Sequence, residues 1–276
     1  MIFKKGERMT VKKAYQTLVI TILLMMATIM LYALNVSKLN LEWGMTGFTI
    51  SAVLSIFSII LSVHTITHHR EVKNTGFFAL RRYEILDWFT FLAVSLMAIF
   101  MIFMFFVLPS DVSQSSMKPT LLNGDRILIY HFKYQPSNHD IVVLRIDHED
   151  YPLVPNDSFM DDNGVMHDEI FFVKRIMAMP GDLVEFVNFN LSTNKYTVQI
   201  NGVLARTPQL ELYYVSPEQI VILDSFLENG ILEEGMYLTF GDNASGSLDS
   251  RSIGAIQEKD ILGKVIYRLW PLGGLS

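Results

Sequence analysis

The chain has 276 residues, half of them apolar, with a mean hydropathy of +0.31 and a formal net charge of −6. This composition excludes a disordered chain and is too apolar for an ordinary soluble domain. Residues 1–109 carry a net charge of +5 and residues 110–276 one of −11. The acidic C-terminal part argues against nucleic acid as a partner, because phosphate contacts need clustered cations. The chain contains no cysteine, which excludes disulfides and thiolate nucleophiles.

The N-terminal part contains three stretches without Asp, Glu, Lys or Arg: Ala14–Ser37, Trp43–His69 and Trp88–Ser110. Each reaches the ~20 residues that a helix needs to cross the hydrocarbon core of a bilayer. The sequence therefore predicts a cytoplasmic tail (1–13), a membrane region (14–109) with transmembrane helices at 14–34, 45–64 and 88–108, and an outer domain (110–276).

The distribution of Lys and Arg predicts the orientation of these spans. The N-terminal tail has five basic residues, the first loop has only Lys38, and the second loop has four. Basic loops stay on the cytoplasmic side, so the N-terminus is expected in the cytoplasm. The first apolar run is longer than a signal-peptide core and is expected to be a retained anchor. We therefore expect a multi-pass protein of the cell (inner) membrane whose outer domain is extracytoplasmic, on the periplasmic side.

In the outer domain the apolar period changes to two, which is typical of strands. The predicted strands are Arg126–Phe132, Ile141–Ile146, Ile170–Met177, Leu183–Phe189, Tyr196–Ile200, Met236–Phe240 and Ile261–Trp270. Asn201–Gly202 predicts a tight hairpin. No strand–helix alternation occurs, so the fold class is N-terminal transmembrane helices followed by a mostly-β domain of antiparallel sheets. A small inserted subdomain is expected at 207–234, and Asp147–Glu169 is expected to be a solvated loop.

A hydrolase without cysteine needs an activated hydroxyl, a metal ion or a pair of carboxylates. No His-x-x-x-His pair stands on a predicted outer helix, so no residue is assigned to a metal. The histidines of the outer domain are scattered, and a Ser-His-Asp triad stays open because its members need not be neighbours in sequence.

Lys174 is another candidate base. Within the predicted strand Ile170–Met177 it shares a face with Phe172 and Ile176. Burial among such neighbours would lower the pKa of its amine and leave it able to take a proton near neutral pH. The alternation alone leaves open whether this face points to the core or to solvent.

A serine-rich segment, Ser113–Ser116, follows the third predicted span. Such segments are commonly linkers. The segment nevertheless begins only a few residues after the span, so a nucleophile in it would act within ~30 Å of the membrane surface.

Four segments in this order resemble the conserved boxes of the type I signal peptidases, which are membrane-anchored serine proteases. They are Ser-Ser-Met-Lys-Pro-Thr-Leu at 115–121, Gly-Asp-Arg-Ile-Leu-Ile at 124–129, Lys-Arg-Ile-Met-Ala-Met-Pro-Gly-Asp at 174–182 and the run 241–251 that begins Gly-Asp-Asn and ends Asp-Ser-Arg. The resemblance covers most of 110–276 and implies a signal-peptidase-like β fold. Ala178 stands where that family usually has glycine, and three spans replace the usual one or two.

The resemblance implies a role for each matching residue. Ser116 would be the nucleophile and Lys174 the general base, with Ser247 orienting the lysine amine and Asp249 and Arg251 forming a supporting pair. The oxyanion donors would be the backbone N–H of Ser116 and Gln114, with Ser113 or Ser115 as alternatives to Gln114. Residues at four further positions would line pockets for small substrate side chains: Met117, Leu121, Phe172 and Val173.

The implied function is that of signal peptidase I, which removes signal peptides from exported preproteins at Ala-x-Ala-type sites by acyl-enzyme Ser/Lys catalysis. The expected partners are signal peptides and the lipid bilayer, with no nucleic acid, no metal and no cofactor. Three alternatives stay open: a Ser/Lys peptidase for one dedicated exported substrate, a catalytically silent membrane receptor for signal-like peptides, and a membrane scaffold.

Overall fold

A computed structural model describes residues 5–34, 42–67, 77–161 and 164–274 of the chain. These residues belong to two compact units, which meet in sequence between Phe106 and Val107. The first unit is helical and the second consists mainly of β-strands.

The helical unit contains α1 (Lys5–Ala33), α2 (Glu42–Thr67) and α3 (Phe77–Phe105). Each helix includes a segment long and apolar enough to cross a membrane: Val11–Ala33, Thr49–Thr67 and Trp88–Phe105. The third helix ends at Phe105, short of the predicted 108, because Val107–Asp111 pairs as a strand instead. Lys38 and part of the second loop, which contribute to the predicted orientation, lie outside the described residues.

A row of small polar residues on α2 lies at the centre of the helical unit. Ser51, Ser55, Ser58 and Ser62 follow at intervals of three or four residues, and all are fully buried. Ser62 Oγ lies 3.3 Å from the hydroxyl of Thr17 on α1, while Ser58 Oγ lies 2.8 Å from a hydroxyl on α3. Small side chains allow close approach of helices in a bilayer, and hydroxyl pairs join them. The polar atoms of α2 therefore face its neighbouring helices.

Among its described residues the second unit contains thirteen strands: β1 (Val107–Asp111), β2 (Arg126–Tyr130), β3 (Ile141–Asp147), β4 (Glu169–Ala178), β5 (Val184–Asn190), β6 (Lys195–Ile200), β7 (Val203–Leu204), β8 (Tyr214–Val215), β9 (Leu227–Glu228), β10 (Ile231–Leu232), β11 (Met236–Phe240), β12 (Ile256–Gln257) and β13 (Ile261–Trp270). Two short helices, α4 (Pro217–Asp224) and α5 (Ser250–Ile253), complete it.

Seven strands form one antiparallel sheet in the order β1-β2-β13-β3-β4-β11-β12. A smaller sheet contains β5, β6 and β7, with β8 also paired to β6. The hairpin predicted at Asn201–Gly202 joins β6 to β7. The prediction of apolar helices followed by a mostly antiparallel β domain is confirmed.

The β domain has two apolar clusters. One contains Phe172 and Ile176 from the inward face of β4, together with Phe159. The other includes Tyr213 and Leu223, which come from the segment expected to be an insert, 207–234. That segment forms β8, α4, β9 and β10 and packs into the core. A capping box at Ser216 begins α4 and satisfies its first backbone donors.

The segment between β3 and β4 is not the solvated loop that its polar composition predicts. Tyr151, Val154 and Phe159 within it are buried. The hydroxyl of Tyr151 donates a 2.8 Å hydrogen bond to the buried carboxylate of Asp260. A few apolar residues thus fix an otherwise polar segment against the large sheet, because their burial outweighs the cost of ordering the chain.

Candidate active site

Ser116 and Lys174 lie side by side although 58 residues separate them in the chain. Lys174 Nζ donates a 2.8 Å hydrogen bond to Ser116 Oγ. Ser116 belongs to the turns that follow β1, and Lys174 stands in the middle of β4. A nucleophile and a base within hydrogen-bond reach are the minimal arrangement for nucleophilic catalysis.

Lys174 faces the core, which resolves the choice that strand alternation left open. Its side chain is only 1% exposed, and Nζ lies 4.8 Å from the centre of the Phe172 ring. Burial lowers the pKa of the amine to about 8, opposed by the nearby Asp249 carboxylate and assisted by the Arg251 guanidinium. Desolvation is the main cause, because a buried ammonium loses its hydration. A substantial fraction of the amine is therefore neutral near physiological pH.

Ser247 lies close to this pair but does not make the expected contact. Its hydroxyl oxygen is buried and has no hydrogen-bond partner among the described residues. Its position is restricted by Gly241, where an added Cβ would overlap both Ser247 Oγ and the carbonyl oxygen of Ser116. Ser247 therefore lies next to the backbone of Ser116. Within the described residues it does not make the hydrogen bond that would orient the Lys174 amine.

The loop after β11 holds the backbone of the nucleophile segment. The backbone N–H of Asn243 donates to the carbonyl of Ser116 over 3.0 Å, and its side-chain amide donates to the carbonyl of Ser115 over 3.2 Å. This close approach requires a residue without Cβ at position 241. Asn243 stands in the last box without a role that the resemblance implies, and its two hydrogen bonds hold the backbone of residues 115 and 116.

Asp249 and Arg251 form the expected pair. Arg251 Nε and Nη2 each lie 2.8 Å from a carboxylate oxygen of Asp249, and both side chains are buried. Asp249 also accepts from the backbone N–H of Gly241 over 3.0 Å, and Arg251 donates to the carbonyl of Ala244 over 2.8 Å. The pair thus braces both sides of the loop that contacts Ser116. Each charge is compensated and hydrogen-bonded, as buried ions require.

Sequence patterns did not reveal a second ion pair, between the buried carboxylate of Asp242 and the partly buried guanidinium of Arg175. Arg175 Nε and Nη2 lie 2.8 Å and 2.7 Å from the two carboxylate oxygens of Asp242, and Thr120 Oγ1 donates to the same carboxylate. This network joins the nucleophile segment, β4 and the loop after β11. Gly-Asp pairs occur at 124–125, 181–182 and 241–242, each beside a strand, and taken alone such pairs indicate only turns. The strand register was needed to identify the partner of Asp242.

Ser116 opens onto a cleft of about 470 Å³. Met117, Phe172 and Val173 line it, as expected for pocket residues, whereas Leu121 is fully buried beneath and is not part of the lining. The segment between β3 and β4 supplies another wall that the sequence did not predict. Within the described residues, no three His, Asp or Glu side chains come together in a way that could hold a metal ion.

Gln114 also lines the cleft, two residues before the nucleophile. Its backbone adopts φ 110°, an uncommon conformation for a residue with a side chain, and its N–H donates to Asn123 Oδ1 over 3.2 Å. Because that N–H is already engaged, only the side-chain amide of Gln114 is left to donate towards the cleft. Ser113 lines the cleft as well, whereas Ser115 directs its carbonyl to Asn243.

Comparison with known proteins places this site in a family. Residues 85–270 match the family model described as signal peptidase, peptidase S26. Signal peptidase IB of Staphylococcus aureus (strain COL) is 29% identical over 197 residues, which cover 68% of this chain and 91% of the relative. The probable thylakoidal processing peptidase 2, chloroplastic, of Arabidopsis thaliana is 28% identical over 171 residues, which cover 61% of this chain and 39% of that protein.

Among solved structures, a signal peptidase I from Enterococcus faecalis V583 aligns at 20% identity with a TM-score of 0.30, covering 48% of this chain and 97% of that chain. The family model alone spans more than half of the chain and includes both Ser116 and Lys174. The chain therefore belongs to the signal peptidase family, peptidase S26, and is a membrane-anchored serine endopeptidase.

Proposed function

We propose that this chain is a signal peptidase I that removes signal peptides from exported preproteins at Ala-x-Ala-type sites through an acyl-enzyme. The observation that carries the proposal is the buried Lys174 amine, with a pKa of about 8, at 2.8 Å from Ser116 Oγ. A lysine with its ordinary pKa would be protonated at neutral pH and unable to accept the serine proton.

The reaction follows from this geometry. The neutral amine of Lys174 accepts the Ser116 hydroxyl proton as Oγ attacks the scissile carbonyl carbon. The resulting ammonium gives that proton to the departing amine as the peptide bond breaks, which leaves an ester on Ser116. Water then attacks the ester with Lys174 again as the base, and the serine hydroxyl is restored. The backbone N–H of Ser116 and the side-chain amide of Gln114 are the proposed donors to the oxyanion, each worth roughly 2.7–4 kcal/mol in such sites.

The edge of β4 provides a place for the substrate backbone. Between Glu169 and Val173, β4 is paired with β3 on one side, while β11 pairs only from Arg175 onwards. No other described strand covers the second edge of this stretch. An extended peptide can add to such an edge through main-chain hydrogen bonds. Bound there, the peptide would pass beside Ser116, which lines the same cleft.

The side chains near the nucleophile favour small substrate residues. Met117 is 1% exposed and Phe172 is 5% exposed, so both side chains are packed against their neighbours and only a small part of each faces the cleft. Large side chains at the first and third positions before the cut would have to displace these packed residues, and overpacking typically costs about 1–3 kcal/mol. Alanine fits both positions without displacement.

The membrane arrangement is part of the proposal. The N-terminal tail and the second loop are cytoplasmic, and the β domain lies on the outer face of the cell membrane. The Lys and Arg counts of the flanking segments support this orientation. Three apolar helices supply the anchor, and the preprotein reaches the cleft from the bilayer.

Two alternatives make different predictions. A peptidase for one dedicated substrate would leave generic preproteins intact and cut a single exported partner. A silent receptor would bind signal-like peptides without cutting them. The close Ser116–Lys174 contact and the lowered lysine pKa favour the enzyme, because binding alone needs neither.

The test uses the full chain in detergent with an exported preprotein that carries an Ala-x-Ala site. The wild type is expected to cut after the second alanine, and Ser116→Ala and Lys174→Ala are expected to be inactive while retaining the wild-type thermal unfolding transition. Comparable cutting by Lys174→Ala would show that another base operates. Binding without cutting by the wild type would instead support the receptor.

A further inference from the structure

The active-site cleft has one wall that the proposed reaction does not use. The segment between β3 and β4 contributes Met160 to the lining, and β4 contributes Phe171. Both are large and apolar, yet they are 52% and 55% exposed. A single exposed apolar residue is ordinary on a protein surface. Two of them on the cleft that contains the nucleophile form a surface available to a substrate.

The wall is a defined structure. Phe159–Asp161 and Val165–His167 pair as a small hairpin, in which the N–H of His167 donates to the carbonyl of Phe159 over 2.8 Å and the N–H of Asp161 donates to that of Val165 over 2.9 Å. Phe159 is fully buried and its ring packs edge-on against His148, with 5.0 Å between centroids. Phe159 ends a short 3-10 turn (Asn156–Phe159), and Met160 follows it in extended backbone with its side chain half exposed. Met160 is thereby held in place on the cleft.

The chain path puts this wall at the end of the cleft away from the nucleophile. The hairpin leads through Asp168 directly into the start of β4 at Glu169, whereas Lys174 lies in the middle of that strand. Phe171 precedes Lys174 by three residues, which corresponds to about 10 Å along an extended strand. A peptide that runs parallel to β4, with its scissile carbonyl at Ser116, would therefore place roughly its fourth or fifth residue before the cut near Phe171.

The order of surfaces along the cleft matches the order of segments in a signal peptide. Such peptides have an apolar core of about 7–15 residues followed by a short segment of small residues at the cut. The cleft has tight surfaces at Met117 and Phe172 beside Ser116, followed by the exposed apolar pair further along β4. Tight and apolar surfaces thus follow one another along the cleft in the order in which small and apolar residues follow one another, away from the cut, in the substrate.

We infer that Met160 and Phe171 form an apolar subsite that binds the substrate residues four and five positions before the cut, where the apolar core of the signal peptide ends. The inference rests on the proposed function, since it assigns a specificity to the same cleft. The two side chains act on substrate selection and take no part in bond breaking. Carboxylates of Asp161 and Glu169 also line this end of the cleft, which makes a basic substrate residue the competing occupant.

The test compares three peptides that share one Ala-x-Ala site and carry Leu, Ser or Lys at both the fourth and fifth positions before the cut. The enzymes are the full chain in detergent as wild type, Met160→Ser, Phe171→Ser and the double variant. Leu191→Ser is the matched control, because Leu191 is 88% exposed and lies outside the cleft lining. The measured quantities are kcat/KM for each peptide and the thermal unfolding midpoint of each enzyme.

We expect the wild type and Leu191→Ser to prefer the Leu peptide over the Ser peptide by about tenfold, as for one well-buried apolar side chain. The double variant is expected to reduce this preference to below about threefold, whereas Leu191→Ser is expected to keep the wild-type kcat/KM for every peptide. Equal preferences in wild type and double variant, or a wild-type preference for the Lys peptide, would overturn the subsite. Failure of the wild type to cut any peptide would count against the proposed function itself, and the two failures are thereby distinguished.

Discussion

The pH dependence of cleavage is a direct test of the role assigned to Lys174. The reactive form is the neutral amine, so kcat/KM is expected to rise with pH and to level off above the pKa of about 8. At pH 7 about one-tenth of the amine is neutral, which places kcat/KM roughly tenfold below its plateau. A lysine with the ordinary pKa of 10.5 would place it roughly 3,000-fold below and would show no plateau under pH 10.

The assay measures kcat/KM between pH 6 and 10 with a peptide that has no ionisable side chain near the cut. Because kcat/KM reports the free enzyme, the inflection belongs to the unoccupied site. Thermal unfolding at each pH confirms that the enzyme stays folded across the range. An inflection near 6.5, the ordinary pKa of histidine, or a continuous rise through pH 10 would refute the assignment.

Three further substitutions, and a fourth as a control, test the stability and the geometry of the site. Lys174→Met should abolish cleavage yet raise the free energy of unfolding at pH 7 by up to about 3 kcal/mol, because it removes a buried amine that is protonated only at a cost. The gain in the free energy of unfolding is largest below pH 8 and shrinks towards pH 10.5, where the lysine of the unfolded chain also loses its proton. Denaturation of the wild type and of Lys174→Met at pH 7 and at pH 10.5 measures this gain. A variant less stable than the wild type at pH 7 would contradict the prediction. Gly241→Ala should lower kcat by at least about 100-fold in the peptide assay, since the added methyl group overlaps the carbonyl of Ser116 and displaces it; wild-type kcat would show that the loop yields freely. Asp242→Asn should lower the free energy of unfolding by about 3 kcal/mol, because the partly buried guanidinium of Arg175 loses its buried counter-charge. Asp150→Asn, at an exposed ion pair, should change the free energy of unfolding by less than about 1 kcal/mol. Equal losses in the two variants would contradict this reasoning.

Local patterns predicted seven of the thirteen described strands, because these form runs of β-branched and aromatic residues bounded by turns, and they missed the two-residue strands β8, β9, β10 and β12. They failed at β1, since Val107–Asp111 continues the apolar run of the third helix and only its pairing with β2 reveals a strand. They failed again between β3 and β4, where Tyr151 and Phe159 are buried inside a stretch of polar composition. In both places the deciding contact is made with a distant part of the chain.

The active-site chemistry was predictable to a different degree at each residue. Alternation placed Lys174 on the same face as Phe172 and Ile176 but could not tell whether that face was buried, which depends on what packs against β4. The pair of Arg175 and Asp242 depends on two strands lying in register, which has no local signal. Ser247 is the opposite case. The family resemblance implies that its hydroxyl orients Lys174, but among the described residues this hydroxyl has no hydrogen-bond partner.

The position of the final strand in the large sheet bears on how this protease is made. The strands β1 and β2 flank the serine segment and β3 and β4 carry the lysine side, and β13 lies between the two pairs, hydrogen-bonded to both β2 and β3. Through β13 the large sheet becomes continuous from the serine side to the lysine side. Contacts between such distant segments also form slowly. The sheet that carries the dyad is therefore expected to be completed late in folding, when residues 261–270 pair with both β2 and β3.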